Sequence, residues 1–126
     1  MRIIGLLTLV LSMNAHALTE QQKDYHIKWM TIPMMCSTVA QFAGHIEISD
    51  SIAEQVIKGI RTYPEFKQDF ETGLFVGYVR GMVEAQISME VQSINDEQRH
   101  LLYVTMFNDE CSTIPPYNTG KGVMIK

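Results

Sequence analysis

Two cysteines, two adjacent pairs of carboxylates and three of the four histidines, those beyond residue 17, are the residues of this 126-residue chain whose types could support chemistry. Cys36 and Cys111 lack the C-x-x-C spacing of a redox motif, and neither lies in the Cys/His cluster that a zinc site needs. Their expected state is a disulfide closing a loop of about 75 residues, which contributes on the order of 4 kcal/mol by restricting the unfolded chain. His26, His45 and His100 are scattered, with no H-x-x-x-H spacing, and a surface or polar-rim position is expected for each. There is no G-x-S-x-G elbow and no glycine-rich loop placed to cradle a phosphate before a helix. Asp96–Glu97 opens a predicted helix, where acids suit the dipole. Asp109–Glu110 closes one, where they do not, and that misfit makes Asp109 and Glu110 candidates for contact with a basic partner. No catalytic residue, metal ligand or cofactor site emerges, so the reading is a protein that binds and is not an enzyme.

The elements around these residues follow from periodicity. Residues 1–17 have the layout of a secretory signal peptide: Arg2, the apolar run "IIGLLTLVL", and Ala15 and Ala17 flanking one residue. The expected mature chain, 18–126, is one domain, with a loose C-terminal tail from about 115 after Pro115–Pro116. Its nine basic and fourteen acidic residues give a net charge of −5, which offers nothing to nucleic acid. Export to the periplasm also favours the disulfide.

No window alternates as a strand does. Thr19/Gln22, Ser51/Glu54, Thr62/Glu65 and Asn95/Gln98 have the form of helix starts, and Pro33 is expected to divide the first helical segment from one beginning at Met34. Met34, Val39, Phe42 and Ile46 then recur at helical spacing. The expected fold is all-α, a compact bundle of four to five helices with one disulfide and a long central helix from about Tyr63 to Gln92.

Within that helix, "GLFVGYVRGMVEA" (residues 73–85) spaces Gly73, Gly77, Gly81 and Ala85 four apart. Small residues at this spacing are familiar from membrane helices. Here Arg80 and Glu84 interrupt a run already too short to span a bilayer. The strip is read as a close-packing groove for a neighbouring helix of the same domain. "WMTIPMM" (residues 29–35) joins a tryptophan to three methionines, residue types favoured at interfaces. Trp29, Met30 and Met34 are therefore candidate partner contacts.

With signal, cysteines and helices placed, the layout resembles small exported two-cysteine helical proteins of Gram-negative bacteria and their phages. "CSTVAQFA" at Cys36 and "YVTMFNDEC" before Cys111 look like an uncharacterised group of these. "GYVRGMVEA" is similar to a tyrosine-glycine segment of periplasmic immunity proteins that neutralise type VI secretion amidases, although Val76 and Gly77 stand where those usually carry a cysteine. The plan also looks like phage-encoded lysozyme inhibitors and acid-activated periplasmic chaperones. The resemblance implies an immunity or inhibitor protein whose partner is a secreted or phage hydrolase. The alternative is a stress chaperone that loosens at low pH, when its carboxylates are neutralised and its basic groups repel one another.

Overall fold

A computed structural model describes residues 18–112 and residue 125. The expected signal peptide, and the expected loose tail apart from Ile125, lie outside the described residues. Four helices follow one another: α1 (Glu20–Phe42), α2 (Ile46–Ile60), α3 (Asp69–Glu90) and α4 (Asp96–Glu110), with a single 3₁₀ turn at Pro64–Phe66 before α3. No strand occurs among the described residues, and none of their helices is long and apolar enough to cross a membrane.

Helix α1 starts where the sequence signals it. Thr19 accepts from the Gln22 backbone N–H at 3.1 Å while Gln22 Oε1 accepts from the Thr19 N–H at 3.0 Å, a reciprocal capping box. It then runs for 23 residues straight through Pro33, against the expected break. An internal proline removes one backbone hydrogen bond. The buried face is unbroken on both sides of it, with His26, Met30, Met34, Cys36 and Ser37 all inside, and that burial holds the helix together.

The stop comes instead at Gly44, whose φ of +88° is the left-handed conformation that glycine adopts without strain. The Gly44 N–H bonds to Gln41 O at 2.9 Å and the His45 N–H to Ala40 O at 2.8 Å, closing the last turn in a Schellman motif. The expected helix from Met34 to Ile46 therefore ends at Phe42, and Ile46 opens α2. Ser51, expected as a cap, lies inside α2. Pro64 sits in the 3₁₀ turn, so α3 starts at Asp69 and not near Tyr63. Asn95 caps α4 as expected, its Oδ1 accepting from the Gln98 N–H at 2.9 Å.

The long central helix is α1, not α3, because α1 packs against all three of the others. Ile52, Val56 and Ile60 of α2, Val76, Val79, Val83 and Ile87 of α3, and Tyr103 and Phe107 of α4 close the core around Met30, Met34, Val39 and Ala40. Inside it, Ser37 Oγ donates to Ser49 O at 2.9 Å, joining α1 to α2. Cys36 and Cys111 form the expected disulfide, both fully buried, which pins the end of α4 to the middle of α1. Ile125, in the stretch expected to be loose, is buried. Its N–H donates to Asn108 Oδ1 at 2.8 Å, and Asn108 Nδ2 donates to its carbonyl at 2.9 Å.

The expected close packing at Gly73, Gly77, Gly81 and Ala85 is corrected. All four residues are exposed, and a Cβ added at any of the three glycines would meet nothing within 4 Å. The reason is the edge position of α3. Its inward stripe is Thr72, Val76, Val79, Val83 and Ile87, and the small residues fall on the opposite side of the helix.

Candidate functional site

The side chains with the most specific mutual geometry gather where the N-terminal halves of α1 and α3 meet the 3₁₀ turn. His26 is 1% exposed, which corrects the rim position expected from sequence. Its ring is enclosed edge-on by Tyr63 (centroids 4.6 Å apart), Phe66 (4.8 Å) and Tyr25 (5.2 Å). Both nitrogens are engaged: Nδ1 with Trp29 Nε1 at 3.0 Å, and Nε2 with Glu65 Oε1 at 2.9 Å.

An indole N–H can only donate, so Nδ1 must be the unprotonated acceptor. Nε2 then carries the proton and donates it to the Glu65 carboxylate. This is a neutral imidazole between one donor and one anion, with every bond satisfied. The His26 hydrogen bond, aided by the Glu65 backbone N–H, holds the Glu65 carboxyl below its ordinary range. The hydroxyls of Tyr25 and Tyr63 meet at 3.2 Å, and that bond is the main reason the Tyr63 phenol is raised.

A carboxylate oriented on an imidazole is the arrangement that prepares a general base. The other ring nitrogen here faces an indole, which is no nucleophile. As placed, His26 ties the aromatic segment of α1 to the 3₁₀ turn.

Beside this cluster opens a groove of about 620 Å³. Its apolar floor is Leu18, Ile27, Phe66, Leu74, Phe75 and Tyr78, and its rim holds Glu20, Asp24, Glu65 and Glu71 against one cation, Lys23. Lys23 is already paired with Glu20 at 3.0 Å. Glu20 and Glu71 lie in the first turns of α1 and α3, so part of the acidity complements the two helix dipoles. The remainder faces the groove unneutralised. Among the described residues, no group of three His, Cys, Asp or Glu side chains is placed to hold a metal ion.

The partner contacts expected from sequence do not form one patch. Met30 and Met34 are completely buried, because α1 continues through Pro33 and turns both inward, so they are core residues and not contacts. Trp29 is half-buried, stacked on Tyr63 at 6.2 Å with its ring against Gly59 of α2. Asp109 and Glu110 are exposed at the end of α4. Cys36, which anchors that end, lies nine residues along α1 from the groove residue Ile27, about 13 Å at 1.5 Å per residue.

Sequence reasoning missed the His26–Glu65 pair because its members are 39 residues apart. The available signal was the aromatic clustering itself, "DYHIKW" in α1 and "TYPEF" in the turn.

Comparison with protein-family models, with curated proteins and with solved structures returns no match for this chain. What fold and site define is a class: an all-α bundle pinned by one disulfide, with an acid-rimmed apolar groove braced by a buried histidine.

Proposed function

We propose that the protein is an exported, periplasmic binding protein of the immunity or inhibitor kind, which docks on a cell-wall-degrading enzyme and blocks its cleft. The observation that carries the reading is the groove, an apolar floor ringed by four carboxylates and one already-paired lysine. Apolar surface supplies affinity, while uncompensated negative charge speeds encounter with a basic partner and selects for it. Wall-degrading enzymes that act on an anionic polymer are commonly basic, which suits this rim. The His26 bracing, which ties α1 to the 3₁₀ turn, keeps the groove pre-formed, so little ordering entropy opposes docking.

The test is affinity capture from periplasmic extract with the oxidised protein, followed by wall-hydrolase assays. Capture of a hydrolase and loss of its activity are expected, with binding that weakens as salt rises. The double variant Asp24→Lys, Glu71→Lys should slow association without unfolding the bundle, since both groups are at the surface. Hydrolase activity that is indifferent to the protein ends the proposal.

A further inference from the structure

Helix α3 gives one face to α1 and the opposite face to water, and the watery face is apolar along its midline. Phe70 (77% exposed), Leu74 (61%), Tyr78 (57%) and Met82 (38%) step along it four residues apart, and Met89 (75%) extends the row. Parallel to this ridge runs the exposed row Gly73, Gly77, Gly81 and Ala85, a furrow with almost no side chains. Arg80 is drawn aside by Glu84, at 3.0 Å, and by Gln41 of α1, so no cation covers the face. Scattered exposed apolar residues are ordinary on any protein, but a contiguous row of this length is not.

We propose that this face is the interface between two copies of the chain, a homodimer formed by two α3 helices crossing about a twofold axis. Ridge and furrow lie side by side on one helix with the same four-residue step, so the surface is its own complement, as a twofold contact requires. Interdigitation of four-step ridges sets a crossing near −50°. The glycines allow the two backbones to approach closely at the crossing.

Within a single copy these glycines have no packing role, since an added Cβ at each meets nothing within 4 Å, and they weaken the helix. A second backbone supplies the missing reason. The exposed fractions of the five large side chains amount to about three whole ones, on the order of 600 Å² per copy at roughly 200 Å² each. A standard interface takes about 800 Å² per partner.

Leu74 and Tyr78 also line the groove of the proposed function, so a second copy and a docked hydrolase would compete for them, but the experiment here needs no partner and its outcome is read separately. Sedimentation equilibrium of the oxidised protein from micromolar to hundreds of micromolar should give twice the chain mass at the upper end. The double variant Gly77→Leu, Gly81→Leu places its new side chains in open space in a single copy, and in dilute solution, where both proteins are monomers, it should retain full helicity and melt no lower than the parent. Its dimer dissociation constant should rise by about tenfold or more, because the furrow is filled. Oxidised Gly77→Cys should run as a cross-linked pair on a non-reducing gel, whereas Leu101→Cys on exposed α4 should not. A wild-type chain that stays monomeric throughout, or a dimer indifferent to the leucine pair, overturns the proposal. So does a monomer that uses this face for a different protein.

Discussion

Trp29 donates its indole N–H to Nδ1 of His26 at 3.0 Å from one helical turn away, and that bond decides which histidine nitrogen carries the proton. With Nδ1 committed as acceptor, Nε2 must donate, and Glu65 is the acceptor it finds at 2.9 Å. Glu65 belongs to the 3₁₀ turn ahead of α3. The relay therefore couples the first helix to the start of the third through two side-chain bonds.

Trp29→Phe keeps an aromatic ring in place but removes the donor. It leaves Nδ1 of a residue only 1% exposed without a partner, so stability should fall by about 1–3 kcal/mol. Urea unfolding of the variant, followed by far-ultraviolet circular dichroism, measures this. A midpoint equal to that of the parent protein would show that the bond contributes nothing.

The lowered carboxyl of Glu65 makes stability depend on pH with a definite sign. Its folded value lies below its ordinary one of 4.5. The stabilisation is thus complete above the unfolded value and disappears as pH falls through the folded value. Urea midpoints between pH 6 and pH 3 should decline, and they should decline less steeply in Glu65→Gln, which cannot ionise. Parallel curves for the two proteins would remove Glu65 from the account.

The disulfide spans 75 residues, and its loss should reduce stability by on the order of 4 kcal/mol. Helix α4 should respond first, because it packs chiefly on α1 and the bond fixes its end. Hydrogen exchange under reducing conditions should show protection lost in residues 96–110 before residues 20–42. Uniform loss across all four helices would contradict this.

Gly59 faces the Trp29 ring, and a Cβ there would sit 3.5 Å from its edge, an ordinary contact. Gly59→Ala should therefore be tolerated, and as a helical position it should gain up to about 0.5–1 kcal/mol. Gly59→Leu should displace the indole. Because Trp29 is the single tryptophan of the chain, its fluorescence reports the displacement directly. Unchanged emission in Gly59→Leu would mean that the indole does not rest on α2.

The all-α class, the Cys36–Cys111 bond and the caps at Thr19 and Asn95 were legible in the sequence because each rests on a local pattern or on the small number of cysteines. The remainder depended on partners distant in the chain. Pro33 reads as a breaker until the burial on both sides of it is known. Gly44 gave a usable stop signal, but the apolar step from Phe42 to Ile46 ran past it. The glycine row of α3 was readable as a strip, but which way the strip faces depends on α1 taking the centre. The His26 cage could not be located from spacing alone, since its members come from two segments and the His26–Glu65 pair is 39 residues apart.

The disulfide also has a place in time. A chain made from its N-terminus presents Cys36 as a lone thiol until the 75 residues to Cys111 have followed. During that interval α1, the helix on which the other three pack, carries a reactive group that its own partner cannot yet reach. Maturation must therefore finish with the last helix, and any disulfide that exchanges with the Cys36 thiolate earlier, releasing its own second sulfur as a thiol, would halt the molecule with its centre formed and its final helix unfastened.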